Sequence, residues 1–279
     1  MDIFKKLFGK GSSETLPYKP EAKVLSTEWA QELSLTLAPG VTMELVRIPA
    51  GEFLMGSDTN KDKAADYEET PQHRLHLEEY LIGKTPVTNA QYLAFVQATG
   101  HKPPEFWIQG VIPQGKEQHP VVNISWFDAF AFCRWAGQGS GHVVHLPSEA
   151  EWEKAARAAG GRIWPWGSHP PDKKRCNFNN NVGGTTPVGQ YSPRGDSPYG
   201  CADMAGNIDE WTSSLKKRYP YNAKDGREDL SGQPWHIQQV LRGGSYHSSG
   251  SYVRCAFRHR CDHFLRPDDC GFRVGVFPF

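Results

Sequence analysis

Cysteine thiols are the strongest nucleophiles and softest metal ligands available to this chain, and it carries six: Cys133, Cys176, Cys201, Cys255, Cys261 and Cys270. Paired thiolates bind soft ions or exchange disulfides, but no two of these stand in a CxxC pair. Their density is also too low for a disulfide scaffold. Cys133 lies in an apolar, helix-like stretch and reads as a buried small hydrophobe. His73 and His76 stand at i, i+3 on strand-like sequence, where they point to opposite faces, which favours exposure over metal binding. Ser248, Ser249 and Ser251 beside His247 and His259 supply the residue types of a hydrolase site, although in a Ser-rich loop such proximity is weak evidence.

A chain of 279 residues holds one large domain or two small ones. Lys+Arg and Asp+Glu number 31 each, for a net charge of +0, so no global field draws the protein onto nucleic acid. With a mean hydropathy of -0.59, 12% aromatic residues, 28 Gly and 21 Pro, it reads as a turn-rich globular protein. No apolar run reaches the roughly 20 residues of a membrane span. The start, Met1 to Lys10, is too short and too charged for a secretory signal. Cytoplasmic residence is therefore the default expectation, with display on a cell or phage surface the alternative.

Elements must position these residues. Residues 1–40 read as an N-terminal arm with a helix around Thr27–Leu37, and the domain proper runs over 41–279. Met43 to Gly56 alternates around Pro49-Ala-Gly51, predicting a hairpin, and Leu75 and Leu77 continue the period of two. Three capping boxes announce helices: Thr88-Asn-Ala-Gln91, Ser125-Trp-Phe-Asp128 and Ser148-Glu-Ala-Glu151, with stops at Gly100, Gly137 and Gly160. From Gly161 onward periodicity fades, so long loops and short strands are expected.

Several strings resemble, in order, the family of the formylglycine-generating enzyme, the sulfatase-modifying-factor domain. They are Val46-Arg-Ile-Pro-Ala-Gly-Glu-Phe-Leu-Met-Gly56, Pro86-Val-Thr-Asn-Ala-Gln-Tyr92, His119-Pro-Val-Val-Asn-Ile-Ser-Trp126, Leu146 to Arg157, Met204-Ala-Gly-Asn-Ile-Asp-Glu-Trp211, Leu241-Arg-Gly-Gly-Ser245 and Cys270-Gly-Phe-Arg273. The resemblance spans roughly 41–277. It implies an α+β, C-type-lectin-like fold with little regular secondary structure, antiparallel strands and a few capped helices. That fold carries both enzymes and binding proteins, so function must come from the site.

In the oxidase of this family, two cysteines follow Gly-Gly-Ser and hold Cu(I) through their thiolates. Here Ser248 and Val253 stand at those positions, so no copper is expected, with Cys255 and Cys261 the nearest thiols. The related sulfoxide synthases add a His-bearing helical domain, for which the residues before Val41 offer no histidine. Family correspondence also places a structural calcium ion at Asp203, Gly206, Ile208 and Glu210, with the middle two acting through their carbonyls. Asn207 and Asp209 are then surface or hydrogen-bonding groups. A second set maps to Asn177, Phe178, Asn180 and Val182.

From Val240 to Phe279 the chain contains no Lys, Glu, Gln, Met or Trp. Those five are the types that NNC codons cannot encode, and NNC is what randomising both adenines of an AAC codon produces. The segment thus resembles the diversified end of a diversity-generating retroelement variable protein, a non-enzymatic ligand-binding member of this fold. The implied binding residues are Tyr246, His247, Ser248, Ser249, Gly250, Ser251, Tyr252, Phe257, His259, Cys261, Asp262, His263, Phe264, Leu265, Asp268 and Asp269, forming one exposed face. Rings with few torsions beside small polar groups suit recognition of a protein partner. Arg242, Gly243, Gly244, Arg254, Arg258, Gly271, Phe272 and Arg273 are expected to be buried scaffold. The alternative is an atypical or degenerate oxidase, or an accessory domain.

Overall fold

A computed structural model describes residues 33–229 and 238–277. The first strand, β1 (Leu33–Ala38), pairs antiparallel with β2 (Val41–Ile48). The expected helix around Thr27–Leu37 is therefore a strand over its described part, and its first residues lie outside the described ones. Leu35 and Leu37 are buried while Ser34 and Thr36 are exposed, a period of two that outweighs any helical pattern. β3 (Gly51–Met55) pairs with β4 (His73–Leu77), and β5 (Tyr80–Gly83) with β2.

Hence β2 and β3 are not the expected hairpin. The chain turns at Pro49-Ala50 and leaves one sheet for another, because β2 is already flanked by β1 and β5 and has no free edge. The predicted continuation through Leu75 and Leu77 holds: they face Phe53 and Gly51 across the β3–β4 ladder. His73 is half-buried and His76 exposed, on opposite faces of β4.

All three capping boxes form. Helix α1 (Asn89–Thr99) starts at Thr88, α2 (Trp126–Ser140) at Ser125 and α3 (Glu149–Arg157) at Ser148, each with its reciprocal bond from the N3 residue. Helix α1 stops at Gly100 as expected, and α3 stops at Arg157, just before Gly160. Helix α2, however, runs through Gly137 to Ser140 and is capped by Gly141. Gly137 marks a close approach instead, since a Cβ there would sit 2.9 Å from the His142 carbonyl oxygen.

β6 (Val143–His145) and β11 (Gly275–Phe277) complete a five-stranded sheet in the order β1-β2-β5-β11-β6. β7 (Asp209–Leu215), β8 (Gln238–Arg242), β9 (His259–Asp262) and β10 (Cys270–Gly271) form a second sheet in the order β10-β7-β8-β9. The main core is aromatic: Tyr92, Phe95, Trp107, Trp126, Phe132, Trp211 and Phe272 pack between α1, α2 and both sheets. Ring pairs such as Phe132–Phe272, edge-on at 5.3 Å, give it directional packing beyond area burial. This is an α+β, largely antiparallel fold with long loops, and those loops carry the C-terminal segment.

A candidate ligand-binding cleft

The segment rests on a row of buried arginines. Arg242 and Arg157 share Glu153, Arg254 holds Glu69 at 2.6 Å and Asp62 at 2.7 Å, and Arg258 grips Glu149 at 2.7 and 2.8 Å. Arg273 holds Glu210 through two bonds of 2.6 and 2.7 Å. Desolvating such charges is expensive, so each guanidinium also donates to backbone carbonyls, as Arg242 does to Cys255 and Ala256. Cutting one partner would strand a buried charge, which makes these residues fixed points. The expected scaffold set, Arg242, Gly243, Gly244, Arg254, Arg258, Gly271, Phe272 and Arg273, is buried throughout. Gly244 is required where it stands, with φ of +68° and a notional Cβ 2.5 Å from the Tyr252 carbonyl oxygen.

Between these fixed points most of the expected face turns outward, while Val253, Cys255 and Ala256 are buried with the scaffold. His247, Ser249, Tyr252, His259, Phe264, Leu265 and Asp268 are exposed, and Ser248, Gly250, Ser251, Phe257, Cys261, Asp262 and Asp269 are partly so. Two members of the expected face are inside it. Tyr246 is buried with its ring 4.0 Å from that of His247, and its backbone is tied to Asn207 and Asn180. His263 is buried edge-on against Phe127, and burial pushes its pKa down. Both follow from an anchor at each end: the segment must dock against the Asn177–Asn207 loops and against α2.

His247, Ser248, Tyr252, Phe257, His259 and Asp269 surround a cleft of about 660 Å³. Tyr252 stacks on Phe257 at 4.7 Å, forming one wall. Asp209, at the start of β7, and Asp66 and Glu69, from the loop before β4, reach the same cleft. No spacing in the sequence announces those three, because folding brings them from remote segments. The Asp209 carboxyl is pushed up by burial, and the carboxylate in turn raises His259, whose Nδ1 lies 3.6 Å away.

Hydrolytic chemistry finds no arrangement here. Ser248 Oγ accepts from the Ser245 N–H, and Ser249 and Ser251 bond each other at 2.8 Å. Among the described residues none of these hydroxyls meets a histidine. The two positions where the oxidase carries its cysteines hold Ser248 and Val253. Val253 is fully buried, Ser248 offers only a hydroxyl, and burial pushes the Cys255 thiol up to about 12 and Cys261 up to about 11. Both sulfurs are thus protonated thiols near neutral pH. All six cysteines are free.

The first calcium set does not fit this arrangement. Glu210 is already neutralised by Arg273 and also accepts from Trp152 Nε1 at 2.9 Å, and the guanidinium would repel an incoming cation. Asp203 is buried and accepts from the Gly189 N–H at 2.6 Å. The carbonyls of Gly206 and Ile208 belong to a turn pressed on Asn177, where a Cβ at Gly206 would meet the Asn177 oxygen at 2.2 Å. Asn207 is buried and bonded to Thr186, as expected of a hydrogen-bonding group, whereas Asp209 is buried at the cleft. The second set fits better. Asn177 Oδ1 is buried without a partner, as is Asn181 Oδ1 nearby, and orphaned amide oxygens among carbonyls are hard-cation donors. Phe178 is partly buried, and Asn180 and Val182 are exposed on that loop.

The sulfatase-modifying factor enzyme 1-like domain matches residues 35–276. The chain belongs to that family. Within it, the formylglycine-generating enzyme of Streptomyces coelicolor is 35% identical, covering 77% of this chain and 82% of the relative. The hercynine oxygenase of Mycolicibacterium smegmatis is 30% identical over 82% of this chain but only 60% of its own length. Among solved structures, PvdO from Pseudomonas aeruginosa superposes with a TM-score of 0.75 at 24% identity, covering 90% of this chain and 100% of that one. Treponema denticola variable protein 1 gives 0.71 at 23%, again over 90% of this chain and 100% of that one. Both likenesses establish the fold, which is that of the formylglycine-generating enzyme and of C-type lectins. Among the described residues, no helix of this family member is long and apolar enough to cross a membrane.

Proposed function

We propose that this family member is a non-catalytic ligand-binding protein, the variable protein of a diversity-generating retroelement, presenting its C-terminal segment to a protein partner. One observation carries the reading: Tyr252, Phe257, His247, His259 and most other members of the expected face turn outward around the cleft, while Arg242, Gly243, Gly244, Arg254 and Arg258 between them are buried. Solvent-facing positions tolerate substitution within about 0.5 kcal/mol, so such a segment can vary without unfolding the domain. The likeness to Treponema denticola variable protein 1 supports the reading at the level of fold. A structural calcium ion at the Asn177, Phe178, Asn180 and Val182 loop belongs to the same proposal, as a brace without chemistry.

The rival is an atypical oxidase, favoured by the enzymes among the relatives. Two measurements separate them. Sequencing the locus across related isolates should find substitutions concentrated at adenines in the codons for the outward residues; an even spread over the gene overturns the proposal. With Cu(I) and a cysteine-containing sulfatase-type peptide, no aldehyde should form. Turnover above background would make Cys255 or Cys261 a ligand and the protein an oxidase.

A further inference from the structure

The cleft is lined by five carboxylates, Asp66, Glu68, Glu69, Asp209 and Asp269, and by two guanidiniums, of which Arg258 is engaged by Glu149 and Arg260 reaches Glu68 at 3.4 Å, so acid exceeds base around it. Asp209 has a side chain only 6% exposed, its Oδ1 has no hydrogen-bond partner, and Oδ2 faces the His259 ring at 3.6 Å, too long for a hydrogen bond. The Gly244 N–H and His259 relieve it in part, while Asp269 repels it. Asp269, in the same cleft, is held by the neutral Ser245 hydroxyl at 2.7 Å. The other carboxylates at depth are already matched, Glu69 by Arg254 and Glu68 by Lys216 at 2.9 Å. His259 is 55% exposed, so its ring meets the solvent side of the cleft. Beside these two carboxylates, which have no arginine or lysine partner among the described residues, stands the Tyr252–Phe257 wall, with Tyr252 half exposed. A buried carboxylate next to an open aromatic face selects a planar cation, which can bond the oxygens with its N–H edge and lay its plane on a ring.

We propose that the cleft takes a guanidinium group, the side chain of an arginine on the protein partner, with Asp209 and Asp269 as counter-ions and Tyr252 and Phe257 as the stacking face. This rests on the ligand-binding reading and names its ligand chemistry. Arginine is favoured over lysine because an ammonium is a point charge that cannot use the flat wall. The cleft volume of about 660 Å³ readily admits such a side chain.

The test uses the full chain and capped tripeptides Gly-X-Gly, with X as arginine, lysine, citrulline, leucine or glutamate, followed by NMR titration of the aromatic and histidine signals. Arginine should shift the Tyr252, Phe257 and His259 signals, and citrulline, which keeps the shape without the charge, should bind about tenfold or more weakly. Asp269→Asn and Asp209→Asn should each reduce arginine binding, while Ile108→Ser, at an exposed position outside the cleft and outside the C-terminal segment, leaves it unchanged. Should Asp209→Asn fail to fold, the citrulline comparison on the unaltered protein still decides. Equal binding of citrulline or leucine at the same signals overturns the guanidinium assignment and leaves the cleft as a binding face. No shift at those signals with any peptide at millimolar concentration overturns this inference, whereas the ligand-binding reading falls only on the locus and aldehyde results.

Discussion

If outward residues are free to vary and the positions between them hold the fold, two sets of substitutions in one short segment must differ sharply in cost. Phe272 is fully buried, meets Phe132 edge-on at 5.3 Å and sits in the main aromatic core. Its neighbour Gly271 leaves no room for collapse, since a Cβ there would lie 2.2 Å from the Val121 carbonyl oxygen. Phe272→Ala should therefore leave a cavity and cost on the order of 3–5 kcal/mol. Tyr252, Phe264 and Leu265 are 50%, 46% and 45% exposed. Replacing all three with serine should cost about 0.5 kcal/mol each, plus about 0.5 kcal/mol for the lost Tyr252–Phe257 stack, so about 2 kcal/mol at most. Urea unfolding reads the difference. With a denaturant slope of about 3 kcal/mol per molar, Phe272→Ala should lower the midpoint by about 1 to 1.7 M and the triple by about 0.7 M at most. A triple variant as unstable as Phe272→Ala would refute the division of the segment into scaffold and display positions.

Acid stability offers a separate check. Burial raises the Asp128 pKa, but bonds from His101 at 2.8 Å and from Ser125, with Arg266 nearby, outweigh it and hold the carboxyl at about 2. A carboxyl depressed from 3.8 to about 2 contributes about 2 kcal/mol that is present above pH 4 and lost as pH falls through 2. Asp128→Asn should remove that contribution near neutrality and flatten the stability curve between about pH 4 and 2; identical slopes would refute it. Calcium added to chelator-treated protein should raise the melting temperature, and Asn177→Ala should abolish the gain while Glu210→Gln, being engaged with Arg273, destabilises with or without the ion. No response to calcium removes the proposed brace.

What could be read along the chain was local. Each capping box needs only four consecutive residues, and Thr88, Ser125 and Ser148 start their helices as written because the bonds close within one turn. Leu75 and Leu77 betray β4 through a period of two, whereas the stretch holding β1 reads as part of a helix around Thr27–Leu37 until pairing with β2 makes it a strand. The ordered strings around Gly-Asn-Ile-Asp-Glu and Arg-Gly-Gly-Ser carried the family, and with it the fold. Pairing was a different matter. β2 and β3 look like a hairpin until the sheet supplies β1 and β5 as nearer partners, a choice made by edges far apart in sequence.

The site followed the same division. The missing residue types marked out the segment, since composition is written in the sequence itself. Which of its residues face inward was decided by contact: Tyr246 is claimed by the Asn177–Asn207 loops and His263 by Phe127. The calcium set lost Glu210 for the same reason, because Arg273, 63 residues away, neutralises it. Asp209 became the cleft floor because its side chain is buried there with an oxygen left unbonded. Charge pairing and desolvation depend on distance in space, and only the tertiary structure brings a carboxylate and its cation, or an unmatched carboxylate and an aromatic wall, to within reach of each other.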